Sequence, residues 1–297
     1  MANAATKIRE LNLLDLRRAA RLKVKRGRPL PRPPRILFPS AVERSYAKSL
    51  KNMVRAMRAA VDAKVVPHLE SVIAQAQARR PVADARLDDY GDAISNLLEL
   101  ARADFFGQWS DAEIAAMVSK IGDAIEAKNG VEIGKVFTSV LGVDLFKAEP
   151  WMHAEAQAFV KSNVALISTI SDNYFSRVES LVFDGARQGL AWRDVADSLG
   201  EQFGVSSRRG AVIARDQVGK FHGQLSELRQ TQAGVEKYTW RGTLDARERA
   251  SHRALEGKVF RWDDPPLVDG ERVKPGQAIM CRCWAEPVLN DLIDGVA

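Results

Sequence analysis

Between Ser40 and Pro67 the apolar residues Val42, Tyr46, Leu50, Met53, Met57, Val61 and Val65 return at steps of three and four. Only an α-helix puts all of them on one stripe. Pro67 then kinks or ends that helix, because proline lacks the N–H that the helical ladder needs. The same spacing recurs down the chain. Leu87, Ile94, Leu97, Leu98, Ala101 and Phe105 line a second helix over 84–105. A third opens with the capping-box pair Ser110 and Glu113, carries Ile114, Met117, Ile121 and Ile125, and is expected to stop at Asn129-Gly130. After a looser Gly-rich stretch, a long helix runs from near Pro150 through Phe159, Leu166, Ile170, Tyr174 and Val178 to Gly185 or Gly189. These stripes read as core faces, with methionine filling gaps rather than marking a cofactor site.

Beyond them lies WRDVADSLGEQFGVSSRRGAVIARDQVGKFHG. It is expected to form a helix over 192–203, a turn at Gly204-Val205-Ser206 and a helix over 207–232. One reading is a DNA-binding helix-turn-helix with Arg208, Arg209 and Arg215 on its second helix. The other, preferred because the region is near charge balance, is a packed helical hairpin with Leu199, Phe203, Val212, Ile213 and Val218 as core.

The chain has 297 residues, of which 46% are hydrophobic and 28% charged, enough for one large or two modest folded domains. The basic first thirty-odd residues hold no apolar stretch of the secretory kind, and no run is long enough to span a bilayer. The two cysteines are one residue apart and cannot staple distant segments, so synthesis in a reducing cytosol is expected.

Charge is strongly uneven. Residues 1–36 carry eleven basic groups against two acidic ones, a net of +9, so the other 261 residues sum to −3. Within GRPLPRPPR, four prolines block helix. Residues 1–39 are therefore expected to be a basic, Pro-rich arm that is flexible until it meets a partner. Arg17, Arg18, Arg21, Lys23, Lys25, Arg26, Arg28, Arg32 and Arg35 are its candidate contacts with a nucleic acid or with an acidic protein surface.

The C-terminal stretch concentrates the unusual chemistry. Tyr238, Trp240, Val259, Phe260 and Trp262 read as strand residues, Asp269-Gly270 as a hairpin turn, and Met280 to Trp284 as a returning strand. A helix over 245–255, closed by Gly257, is expected to put Asp245, Arg249 and His252 on one face. The fold expected overall is mainly α-helical with a small α+β C-terminal module. Its sequence blocks are the arm, a helical region over 40–149, a helical part over 150–235 and the module over 236–297.

Three readings fit the Cys, His and Asp of this module. His252, Cys281 and Cys283, with Asp245, have the ligand types of a zinc site, although Cys-x-Cys departs from the usual knuckle spacing. Alternatively, Asp245 pairs with an arginine such as Arg282, His252 bonds a carbonyl, and the cysteines pack as small hydrophobes. The third reading is a Cys–His nucleophilic pair, as in a thiol hydrolase. The buried polar cluster is preferred, so no cofactor is expected, zinc being the one metal the ligand types admit.

The order Gly189-Leu190-Ala191-Trp192, Leu199, Phe203-Gly204-Val205-Ser206, Ile213-Ala214-Arg215-Asp216, Trp240-Arg241, Thr243 to Arg247, His252, Leu255, Gly257, Pro275-Gly276 and Cys281-Arg282-Cys283 resembles the Mu protein F-like minor head protein family of tailed bacteriophages. The resemblance covers about 150–287 and rests on Trp240, Asp245, Arg247, His252, Gly257, Cys281, Arg282 and Cys283. It implies a low-copy structural protein of the virion, at the portal vertex or in the head interior, present in the host cytoplasm during assembly. The implied partners are the portal protein, the major capsid or scaffolding protein and packaged double-stranded DNA. Neither a small-molecule substrate nor a catalytic residue is implied, and residues 40–149 have no assigned role.

Overall fold

In the computed structural model the described residues are 30–79, 88–143, 149 and 151–294, with Arg18 alone from the segment before Leu30. The expected helix start before Asp88, Leu87 and most of the arm therefore lie outside the described residues. The helices are α1 (Ser40–Lys64), α2 (Leu69–Arg79), α3 (Asp88–Gln108), α4 (Asp111–Leu141), α5 (Met152–Gln188) and α6 (Trp192–Gln232). After them come β1 (Lys237–Arg241), α7 (Ala250–Arg253), β2 (Val259–Arg261), β3 (Leu267–Val268), β4 (Glu271–Arg272), β5 (Trp284–Pro287) and α8 (Asp291–Asp294). The fold is mainly helical with short strands near the C-terminus, as expected. Among the described residues no helix is long and apolar enough to cross a membrane.

The chain forms two compact units that cut across the sequence blocks, because α1, α4, α5 and α6 each contribute to both. One unit comprises Arg44–Lys120 and Val160–Ala214. Its α1 stripe is as the spacing required: Tyr46, Leu50, Met53, Met57, Val61 and Val65 are all buried, Val42 only partly. Pro67 ends α1 by starting a single 3-10 turn, Val66–His68. Tyr46 donates to Asn163 Oδ1 at 2.9 Å inside this core, so its hydroxyl is not left unpaired.

The other unit holds the described residues up to Glu43, Ile121–Phe159 and Arg215–Ala297. Here Ile36 joins Ile133, Val136, Phe137, Val140, Ala233, Val235 and Leu289 in one apolar cluster. Residues 30–39, expected to belong to a flexible arm, have no regular structure yet lie against the body. The Arg215 guanidinium stands 4.1 Å from the centre of the Phe38 ring, and Arg35 stands 4.4 Å from that of Trp284.

Two expected breaks do not occur. Helix α4 opens on the capping box, with Glu113 Oε2 accepting the Ser110 N–H at 2.8 Å. It then runs through Asn129-Gly130 and the Gly-rich stretch to Leu141. Asn129 is fully buried: its amide donates to the His222 carbonyl and to Ser226 Oγ, and its oxygen accepts from Arg229. Gly130 leaves room for that guanidinium, which would lie 3.3 Å from an added Cβ. The turn chemistry of the pair is thus overridden by tertiary contacts, and α4 ends instead at Gly142, with φ of 73°.

Helix α6 likewise crosses Gly204-Val205-Ser206 unbroken for 41 residues. Its buried positions Val195, Leu199, Ser206, Gly210, Ala214, Val218, Phe221 and Leu225 keep helical spacing through the expected turn. Neither a helix-turn-helix nor a helical hairpin forms there. Val212, expected in the core, is exposed.

Within the C-terminal module, β1 is the centre of a three-stranded antiparallel sheet of order β2-β1-β5. Tyr238 pairs with Phe260 and Pro287, and Trp240 pairs with Ala285. The alternation of a strand sends Tyr238 and Trp240 to the buried face, where they meet Trp262, Cys281, Cys283 and Ala285. Asp269-Gly270 makes the expected hairpin turn between β3 and β4, both residues having positive φ.

Candidate functional site

The residues between β1 and β2 and those just before β5 come together at one end of this sheet. The helix expected over 245–255 is reduced to the four residues of α7, and the cause is local. Leu244 is left-handed, with φ of 58°. Asp245 Oδ1 accepts the N–H of Arg247 at 3.0 Å, a side-chain turn that competes with helix. Glu248 Oε2 accepts the Leu244 N–H at 2.7 Å, drawing its carboxylate back over Gly242. A Cβ at Gly242 would lie 2.0 Å from Glu248 Oε1, so only glycine admits this approach. Asp245 and Arg249 therefore do not share a helical face with His252.

Cys281-Arg282-Cys283 also differs from expectation, because β5 begins only at Trp284. The triplet still alternates: Cys281 and Cys283 are buried, and Arg282 points the other way. Arg282 makes a bidentate pair with Asp245, both guanidinium Nη atoms reaching the two carboxylate oxygens. Hydrogen bonds from Arg282, against desolvation, and then from the Arg247 N–H hold the Asp245 carboxyl at about 2, below its usual range. Asp245 is partly exposed, so this pair sits at the rim rather than in the core. Two more arginines fasten the loop, Arg249 to the Ile279 carbonyl and Arg253 to that of Asp245. Arg247 itself is largely exposed, and Gly257, with φ of 77°, returns the chain to β2 while its N–H bonds Trp240 O.

Beneath the rim, His252 Nδ1 stands 3.5 Å from Cys281 Sγ and 3.5 Å from Cys283 Sγ. All three side chains are buried, and their ligand atoms lie within 4.8 Å of one another. His252 is held edge-on against the buried Trp240 ring, with centroids 5.4 Å apart. It does not bond a backbone carbonyl through Nδ1, as the cluster reading expected. Cys281 is held well below the ordinary thiol range by hydrogen bonds from Cys283, against burial, and then from His252 and backbone N–H groups. The hydrogen bond with Cys281, together with burial, pushes Cys283 up. Asp245 faces Arg282 instead of this trio, whereas Glu248, which sequence reasoning missed, has Oε1 3.5 Å from Cys283 Sγ. Its place four residues before His252, on a segment expected to be helical, was the available signal.

A cavity of about 80 Å³ opens over the trio, lined among others by Thr243, Glu248, His252, Cys281 and Cys283. Met280, on its wall, is left-handed with φ of 59°, so both Leu244 and Met280 hold strained backbone beside the same site. Such conformations persist only where surrounding contacts impose them.

Sequence reasoning also missed a second buried polar centre, on α4 and α6. Arg229 is 1% exposed and bonds Glu149, Glu126 and Asn129. Of the arm residues, Arg18 is exposed, Arg32 lies 3.6 Å from Glu286 and Arg35 over Trp284; Arg17, Arg21, Lys23, Lys25, Arg26 and Arg28 lie outside the described residues.

Among known proteins, a Haemophilus influenzae protein described as uncharacterized is 29% identical over 169 residues, which is 56% of this chain and 37% of that protein. The chain thus spans well under half the length of that relative. No solved structure matches the chain. Residues 176–286 match the family described as Phage Mu protein F like protein, a narrower span than the 150–287 of the sequence resemblance. The matched span runs from within α5 to β5 and contains both the Asp245–Arg282 pair and the His252–Cys281–Cys283 trio, so this part of the chain is similar to the phage Mu protein F-like family.

Proposed function

We propose that this chain is a minor head protein of a tailed bacteriophage, present in few copies at the portal vertex or in the head interior. In this reading it assists capsid assembly or genome packaging and delivery by contact rather than catalysis. The family match over 176–286 carries the reading, since that family points to head morphogenesis. The charge distribution supports a division of labour: a folded body of net charge −3 offers surfaces to portal, capsid or scaffolding subunits, and a +9 segment meets DNA or an acidic protein face.

Incorporation into procapsids is the test. Procapsids assembled from portal, scaffolding and major capsid proteins of the phage that encodes the chain should retain it at a few copies per portal ring after purification. Loss of the chain in the gradient, with particle yield and shape unchanged by its omission, would overturn the assignment.

A further inference from the structure

His252, Cys281 and Cys283 are arranged as metal ligands are. A tetrahedral ion with bonds of about 2.0 Å to nitrogen and about 2.3 Å to sulfur sets those two atoms about 3.5 Å apart. His252 Nδ1 stands at that separation from both sulfur atoms. The spacing is also that of a weak N···S hydrogen bond, so further observations are needed to choose between the two.

Three are available. The donor set is two thiols and an imidazole, the combination zinc prefers over the oxygen-only sets of magnesium and calcium. A fourth donor is within reach: Glu248 Oε1 is 3.5 Å from Cys283 Sγ, the oxygen–sulfur edge expected for zinc. The cavity of about 80 Å³ over the trio gives that carboxylate space to turn inward. Lastly, the ligands come from two segments that regular hydrogen bonding joins poorly, Glu248 and, on the four-residue α7, His252 from one, Cys281 and Cys283 from the other. Residues 242–249 and 273–283 contain no strand and no helix, and each includes a left-handed non-glycine residue. An ion between them would fix the loops at a point where the sheet does not.

We propose that His252, Cys281 and Cys283, closed by Glu248, form a structural zinc site that ties the loop after β1 to the loop before β5. Binding releases the thiol protons to solvent and involves no redox change, and the rim pair Asp245–Arg282 lies beside the ligand shell without joining it. Two thiolates and one carboxylate on a divalent ion leave a net negative centre, which the neighbouring Arg247, Arg249 and Arg282 offset.

The test uses the full chain, purified under reducing conditions, stripped of metal and titrated separately with zinc and with cobalt(II). One ion per chain is expected, with a thiolate-to-cobalt charge-transfer band in the near ultraviolet and the intense visible bands of a tetrahedral site. Cys281→Ser and Cys283→Ser should each lower that band to half or less, since each removes one of the two thiolates, and the double variant should abolish it. Glu248→Gln should keep the band but weaken affinity by about tenfold or more. Reduced wild-type protein that holds less than about a tenth of an ion per chain and gives no charge-transfer band overturns the site. That measurement decides even if a serine variant fails to fold. Unchanged affinity in Glu248→Gln overturns the fourth ligand. Because the readout is metal content and spectrum, neither result depends on whether the chain enters a phage head.

Discussion

Replacing Arg229 by methionine removes the charge at the centre of the buried α4–α6 network while roughly keeping its volume. Arg229 is 1% exposed, and each of its N–H groups is used. Nε donates to Glu149 Oε1 at 2.7 Å; Nη1 donates to Asn129 Oδ1 at 2.7 Å and to the Glu126 carbonyl at 3.2 Å; Nη2 reaches one carboxylate oxygen each of Glu126 and Glu149 at 2.6 Å. Removing one partner of a buried ion pair costs about 3–5 kcal/mol, because the other charge stays buried without its counter-ion. The Glu149 side chain is only 14% exposed and takes most of that penalty, whereas Glu126 at 33% can regain water. At about 2–4 °C per kcal/mol for a unit of this size, Tm should fall by roughly 6–20 °C. Adding Glu149→Gln to Arg229→Met should recover part of the loss, since deleting both charges removes the uncompensated one. Differential scanning calorimetry of the wild type, both single variants and the double variant gives the complete cycle. A fall below about 2 °C in Arg229→Met, or a double variant that simply sums the two single losses, would refute the idea that a buried, mutually dependent pair holds α4 to α6.

Three other expectations are independent of that one. Gly204→Ala should stabilise the protein by about 0.5–1 kcal/mol in urea unfolding, because α6 is continuous there and an added Cβ meets only the movable end of Arg208, at 3.4 Å; a loss of stability would restore the turn. Asp245→Asn should lower thermal stability at neutral pH. Since the folded carboxyl is held below its unfolded value, the pair's contribution is complete above about pH 4 and vanishes as pH falls towards 2. The gap between wild type and variant should therefore close over that interval, and a constant gap from pH 7 to the acid limit would show that the pair is not its source. Deleting residues 1–29 removes nine basic groups and leaves Ile36 in its cluster; it should weaken binding to random double-stranded DNA and flatten the salt dependence by roughly 0.9 in the log–log slope for each phosphate that the shortened chain no longer neutralises. Equal slopes would assign the charge elsewhere.

The features legible in the sequence are those decided within about one helical turn. The α1 stripe, the Ser110–Glu113 capping box and the Asp269-Gly270 turn depend on neighbours a few residues away, and each forms as the local pattern requires. Types of residue were legible too, which is why His252, Cys281, Cys283 and Arg282 stood out before their geometry was known. The pairing of Asp245 with Arg282 was legible as well, from opposite charges within one motif. The network of Arg229 was not, because it meets Glu126 across 103 residues and no periodicity reports such a distance.

Asn129 shows why the two kinds of information conflict. As a local signal, Asn-Gly favours a turn because the asparagine side chain can bond its own backbone and glycine tolerates positive φ. In the folded unit the same side chain is already engaged by His222, Ser226 and Arg229, so it has no capacity left for a local turn. A polar side chain can satisfy one set of partners, and burial decides which, because leaving the distant donors unpaired in a dry interior costs more than extending a helix through glycine. At Asp245 the balance falls the other way. Its carboxylate is near the surface and serves both the local turn to Arg247 and the distant pair with Arg282, so the expected helix does not start there. The polar residue that stops a helix in the exposed rim thus carries it onward in the core.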